Sequence, residues 1–101
     1  MAIHFEELWE KCEQFHQESG DNSQPSMIVE ELVMKLGLYK AIATQSEIPT
    51  EEANKIKTRT LGEILLTLTN LSLKENINTY DALSAALQYR AVQHYANKYK
   101  P

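Results

Sequence analysis

Apolar residues recur at spacings of three and four along most of the chain, and no stretch alternates as a strand would. Such spacing places side chains on one face of an α-helix. Three stretches rich in turn-forming residues interrupt the pattern, at 19–26, 44–50 and 75–78. The sequence therefore predicts an all-α fold, a four-helix bundle with helices at about residues 3–18, 26–44, 50–76 and 79–99.

Residues with turn and capping chemistry mark each of these breaks. Gly20 suits the C-terminus of the first helix, and Pro25 suits the first turn of the second. The third helix is expected to begin at Pro49 or just after it. Asn78 can cap the fourth helix, where Asp81 stands three residues on as in a variant of the capping box.

The first and last helices carry one apolar stripe each, whereas the two middle helices are apolar on more than one side. The stripe of the last helix consists of Tyr80, Leu83, Leu87, Ala91 and Tyr95. The two apolar faces of the second helix consist of Ile28, Leu32, Leu36 and Tyr39, and of Met27, Met34, Leu38 and Ile42. Because a helix that is apolar on two faces needs two partners, we expect a homodimer or homotetramer.

Size and charge narrow the class of protein. The 101 residues suffice for one domain, taken as residues 1–101, and the formal net charge is −4. Lysine and arginine are scattered, so a nucleic-acid partner is not expected and a helical DNA-binding regulator is disfavoured.

The single cysteine, Cys12, fits a reducing compartment, and no segment has the roughly 20 apolar residues of a membrane span. We expect a cytoplasmic protein without a membrane partner.

Several common kinds of catalytic site are not indicated. His4 and His16 lie far apart on the first predicted helix and His94 lies on the fourth, without the paired spacing of zinc ligands. Cys12 falls in an apolar stripe, which favours a buried structural thiol over a nucleophile. The sequence has neither a glycine-rich phosphate loop nor a serine-hydrolase motif.

Three glutamates of the middle helices carry the remaining chemistry, and their spacing permits two interpretations. Glu31 lies four residues before Lys35, and Glu63 lies four residues after Arg59, so both can be ordinary ion-paired surface acids. Alternatively, Glu31 and Glu63 face each other across the two helices, with Glu30 nearby, and bind a hard cation. Periodicity does not decide between these alternatives.

Two segments carry a resemblance to a known family: "IVEELVMKLGLYKAI" at 28–42 and "TLGEILLTLTNLSLKENINTYDAL" at 60–83. In order and pattern, residues 26–95 resemble the MazG-like all-α nucleotide pyrophosphohydrolases. In that family the acids of E-x-x-E and E-x-x-D hold Mg²⁺. The resemblance implies Mg²⁺-dependent hydrolysis of a nucleoside triphosphate to a monophosphate and pyrophosphate, with the ion acting as Lewis acid and activator of water.

The family motifs match this chain only in part. The first acid of E-x-x-E falls on Glu31, preceded by Glu30, but its partner falls on Met34. The first acid of E-x-x-D falls on Thr60, and the last falls on Glu63. The resemblance thus implies Glu31 and Glu63 as catalytic metal ligands, Glu30 as a supporting acid and Thr60 as a water-mediated ligand. Because two acids are missing, weak or lost activity is expected.

The resemblance also implies a phosphate-binding set on the last helix, with Gln88, Arg90 and His94 as the nearest equivalents. The other interpretation is that the basic residues complement the negative end of the helix dipole. Gly62 is expected to let another helix approach closely, as the family's glycine would. The alternative function is a non-catalytic, oligomeric interaction or regulatory protein that kept the fold, with Met34 in an apolar contact surface.

Overall fold

The computed structural model describes residues 5–99, and its regular elements are all helices, as the apolar spacing predicts. No strand is present in this part of the chain. The elements are α1 (Phe5–Ser19), α2 (Pro25–Thr44), α3 (Thr50–Lys74) and α4 (Thr79–Lys98). The start predicted for the first helix, Ile3, lies outside the described residues. None of the described helices is both long enough and apolar enough to cross a membrane.

The predicted helix ends are correct where the chain carries recognisable capping chemistry. Gly20, after α1, has a φ of 69°, which is the left-handed conformation that glycine adopts without strain. Pro25 is the first residue of α2. The side-chain oxygen of Asn78 accepts a hydrogen bond from the backbone N–H of Asp81 at 3.0 Å and caps α4.

The third helix ends two residues before the predicted position. Asn76 adopts a φ of 56°, so the helical hydrogen-bond pattern stops there. The backbone N–H of Ile77 donates to the carbonyl of Ser72 at 2.9 Å, and that of Asn76 donates to Leu73 at 3.2 Å. These two bonds form a Schellman motif, which satisfies carbonyls that the helix end would otherwise leave unpaired.

The closest packing in the described chain joins α2 to α3, and α1 packs less extensively on α3. The apolar core takes one residue from each of these helices: Trp9, Ile28 and Ile64. Polar residues of α3 are buried beside them, and Thr69 illustrates how they are accommodated. Its hydroxyl donates to the carbonyl of Leu65 at 3.0 Å, so burial leaves no unpaired donor.

The fourth helix forms no comparable contact with the other described helices. None of its residues is buried, and the large residues of its apolar stripe are exposed, with 67% of the Leu87 surface accessible. The radius of gyration is 17.0 Å, whereas about 13 Å is typical of a compact domain of this length. Phe5 of α1 lines a cavity together with Leu83 and Leu87, but it leaves most of the predicted stripe on α4 uncovered.

The expectation for Gly62 is wrong within a single copy of the chain. A Cβ built at Gly62 would have no heavy atom of a neighbouring element within 4 Å. None of the four described helices therefore needs the space that this glycine leaves open.

Candidate functional site

The ammonium group of Lys35 lies between two glutamates from different helices. Its Nζ is 3.0 Å from Oε1 of Glu31, one turn earlier on α2. It is 3.5 Å from Oε2 of Glu63 on α3, and it donates a hydrogen bond to the hydroxyl of Thr67 at 2.7 Å. Each helix thus contributes two side chains spaced one turn apart, and the four meet at the α2–α3 contact.

This arrangement resolves the two interpretations of the glutamates. The predicted pairing of Glu31 with Lys35 is present. The ion pair of Glu63 is formed with Lys35 across the helix contact and not with Arg59 along α3. Glu31 and Glu63 therefore face each other, as the alternative interpretation required, but they do so around an ammonium group that the protein itself supplies.

The charged cluster borders a cleft of about 360 Å³. Phe15 and His16 of α1 line it, together with Asp21 from the loop that follows α1. The Nε2 atom of His16 lies 2.9 Å from the carbonyl oxygen of Leu66. Because that oxygen can only accept, Nε2 carries the proton of this hydrogen bond. The cleft is thus lined by α1, by the loop after it and by both helices that carry the glutamates.

A second polar cluster at this cleft ties the α1–α2 loop to α3. Oδ1 of Asp21 accepts hydrogen bonds from the hydroxyl and the backbone N–H of Ser23 at 2.6 and 2.9 Å. Oδ2 of Asp21 accepts a hydrogen bond from Nδ2 of Asn70 at 2.8 Å. The backbone carbonyl of Asp21 accepts a hydrogen bond from Nζ of Lys74. The Ser23 hydroxyl, the Ser23 N–H and Asn70 together lower the pKa of Asp21 from 3.8 to about 2.

The Asp21 carboxylate also fixes the orientation of the Asn70 amide. An ionised carboxylate only accepts hydrogen bonds, so the amide must present its NH₂ group to it. The other amide atom, Oδ1 of Asn70, is buried and has no hydrogen-bond partner. Because Asn70 is only 4% exposed and lines the cleft, an unsatisfied acceptor lies at the cleft wall.

The other predicted site residues do not line this cleft. Glu30 lies on α2 with an exposed side chain, and Met34 is 74% exposed. Thr60 is buried in α3 away from the cleft lining. The proposed phosphate-binding residues Gln88, Arg90 and His94 are all exposed on α4, and none of them lines the cleft.

The side chains around the cleft decide whether it could hold a Mg²⁺ ion. Glu31 and Glu63 are each about half exposed, at 51% and 53%, so both carboxylates can be reached from solvent. The described residues contain no group of three or more acidic, histidine or cysteine side chains arranged to hold a metal ion. Magnesium in nucleotide sites commonly uses one or two carboxylates, several waters and the substrate phosphates. The two carboxylates of the cleft thus fall short of a site that holds Mg²⁺ by itself, and they could serve only an ion that brought further ligands with it.

Four residues of the site were not assigned to it from the sequence: Asp21, Lys35, Thr67 and Asn70. Thr67 and Asn70 lie on the same polar stripe of α3 as Glu63, and that shared position could have identified them as residues of the site. Nothing in the local pattern of the α1–α2 loop indicates that Asp21 reaches Asn70, which lies 49 residues further along the chain.

Comparison of the chain with protein-family models, curated proteins and solved structures gave no match. A functional assignment therefore rests on the chemistry of the cleft and on the sequence resemblance. The cleft offers two carboxylates, one ammonium group and one hydroxyl at the α2–α3 contact, with the Asp21 and Asn70 cluster beside them.

Replacing Asp21 with asparagine should weaken the fold at neutral pH and flatten its acid sensitivity. A carboxyl whose pKa is lowered by folding stabilises the fold above its unfolded value of 3.8, and that contribution is lost as the pH falls to about 2. Thermal unfolding followed by circular dichroism across this range measures the effect. Glu47→Gln, in the exposed loop between α2 and α3, is the control. Identical pH profiles for wild type and Asp21→Asn would contradict this role.

Proposed function

We propose that this chain is a divergent MazG-like nucleotide pyrophosphohydrolase that hydrolyses a nucleoside triphosphate slowly, to a monophosphate and pyrophosphate. The observation that carries the proposal is the convergence of Glu31 and Glu63 across α2 and α3, at the edge of a solvent-accessible cleft. At these two positions the chain keeps one acid of each family motif. The fold class, a helical chain whose second and third helices pack together, agrees with this proposal.

In this proposal the residues of the cleft bind and orient the nucleotide. Glu31 and Glu63 would hold a Mg²⁺ ion that enters with the phosphates, and the bound ion would supply Lewis-acid chemistry and the activation of water. The Thr67 hydroxyl accepts a hydrogen bond from Lys35 and donates to the backbone carbonyl of Glu63 at 2.8 Å, so it holds the Lys35 ammonium beside α3. The cleft volume of about 360 Å³ lies within the range of pockets that hold small ligands.

The expected activity is low because the site lacks two charges that the family motifs supply. Met34 has a thioether sulfur in place of carboxylate oxygens, so it does not bind a hard cation. It is also exposed on α2 and does not line the cleft. Thr60 is buried and neutral. Magnesium loses its hydration shell reluctantly, so a site with two carboxylates holds it less tightly than one with four.

A second candidate is a non-catalytic helical protein that kept the fold and lost the metal. The observation that favours it is the position of Lys35, whose positive charge already neutralises part of the glutamate pair. On this interpretation the Lys35 cluster only holds α2 against α3, and the apolar faces of the chain bind other protein surfaces. The two candidates predict opposite results for nucleotide hydrolysis.

Pyrophosphate release from a panel of nucleoside and deoxynucleoside triphosphates, with Mg²⁺ or Mn²⁺, tests the enzymatic proposal. We expect slow, metal-dependent release by wild type and its loss in Glu63→Gln, because that substitution removes one of two metal-binding charges. Glu52→Gln, also exposed on α3 but in its first turn, should retain the wild-type rate. Release by wild type that Glu63→Gln leaves unchanged would place the chemistry elsewhere. No release at all would favour the non-catalytic candidate.

We also propose that the chain works as a homo-oligomer, a dimer or tetramer. Its accessible surface is 8197 Å², whereas a folded monomer of this mass exposes about 5,800 Å². The excess is about 2,400 Å² per chain, or about 4,800 Å² for two chains, which falls in the range of total area that obligate homodimers bury. We propose that a second copy of the chain covers the exposed apolar stripe of α4. Such a copy is present at the same concentration as the first, and it brings the same apolar helix to the contact.

Size-exclusion chromatography with light scattering tests the assembly. We expect a dimer or tetramer for wild type and dissociation in Leu87→Glu, because a charge would have to be buried in the contact formed by α4. Gln93→Glu, a polar and exposed position on the same helix, adds the same charge and should leave the assembly intact. A monomeric wild type would refute the proposed oligomer.

A further inference from the structure

We propose that Lys35 is the resident cation of the cleft. Its ammonium group occupies the glutamate pair in the absence of ligand, and it moves to the nucleotide phosphates when a divalent cation takes its place. This inference rests on the proposed function, since it specifies how the same site exchanges one cation for another. It assigns Lys35 two successive roles, first as a competitor of the metal and then as a phosphate-binding residue.

The contacts of Lys35 match those of a small cation in the same position. An ammonium group has three donors. Three oxygens lie within 3.5 Å of Nζ, one each from Glu31, Glu63 and Thr67. A divalent cation at the same point would contact the same carboxylates, so metal and ammonium exclude each other.

The charge balance of the cleft leaves it open to a stronger cation. One ammonium group neutralises only one of the two glutamates. The ionised Asp21 lies on the same cleft, but it has a cation of its own in Lys74. Asn70, which is 4% exposed, adds a buried oxygen that has no hydrogen-bond partner. The glutamate pair therefore keeps one negative charge that Lys35 does not neutralise.

The exposure of the side chains gives Lys35 a way out of the pair. Lys35 is 23% exposed, and both glutamates are about half exposed, so none of the three is sealed in the core. A lysine stem is flexible and carries a compact charge that pairs readily with phosphate oxygens. When a metal-bound nucleotide enters, Lys35 can therefore exchange two carboxylates for the phosphate chain without losing its charge pairing.

Removing the ammonium should have opposite effects on two kinds of binding. Metal alone has to displace Lys35 without offering it a new partner, so Lys35→Met should raise the affinity for metal alone. A nucleotide bound with metal gives Lys35 phosphates to contact, so the same substitution should lower nucleotide affinity. A purely structural role, in which Lys35 only holds α2 against α3, would make both affinities fall together.

Isothermal titration with Mn²⁺ alone, and then with a non-hydrolysable nucleoside triphosphate in saturating Mn²⁺, measures both effects without reading activity. For Lys35→Met we expect Mn²⁺ affinity to rise about tenfold, the equivalent of about 1.4 kcal/mol, and nucleotide affinity to fall by at least a similar factor. Lys40→Met, an exposed lysine of the same helix, should match wild type in both titrations. Circular dichroism and a second variant, Lys35→Gln, separate loss of the ammonium from loss of the fold.

Unchanged or weaker Mn²⁺ binding in both folded Lys35 variants would overturn the inference. Mn²⁺ binding that is detectable only once Lys35 is replaced would support it. If neither protein binds nucleotide while the variant gains Mn²⁺ affinity, the competition between Lys35 and metal holds and the phosphate-binding role is refuted, as is the pyrophosphohydrolase proposal. If nucleotide binds equally to both proteins, the phosphate-binding role alone fails.

Discussion

The position of the Lys35 ammonium group between Glu31 and Glu63 is the constraint on which the chemistry of this chain depends. Two carboxylates from separate helices repel each other unless a cation lies between them. Lys35 supplies that cation from within α2, so the glutamate pair can persist at the α2–α3 contact without any ligand. Ion pairs between solvent-exposed side chains stabilise a fold only slightly. The main consequence of the Lys35 ion pairs is therefore that Lys35, Glu31 and Glu63 stay together as one charged site.

The rest of the cleft follows from how α3 accommodates polar residues. Thr67 and Asn70 follow Glu63 on the polar stripe of α3, and because both are buried their donor groups need hydrogen-bond partners. Thr67 finds them in Lys35 and in the backbone of α3, and Asn70 finds one in Asp21. The same hydrogen bonds that satisfy α3 therefore hold the α1–α2 loop against the cleft.

Local chemistry in the sequence was sufficient to predict the helices and several of their ends, because caps such as Pro25 and Asn78 act within a few residues. The pairing of Glu31 with Lys35 also followed from a spacing of four. The contact of Lys35 with Glu63 could not be predicted, since periodicity gives the face of a helix but not the rotation of its neighbour. The exposure of Leu87 could not be predicted either. An amphipathic pattern shows which side of a helix is apolar, but it does not show whether the same chain or another molecule covers that side.

Crystal structures of the chain alone, and with Mn²⁺ and a non-hydrolysable nucleoside triphosphate, would show where the Lys35 ammonium lies in each state. In the free protein we expect Nζ of Lys35 within salt-bridge distance of both glutamates. In the complex we expect the metal to contact Glu31 and Glu63 while Lys35 contacts phosphate oxygens. A free protein in which Lys35 extends into solvent and the two carboxylates lie apart would rule out the role assigned to Lys35.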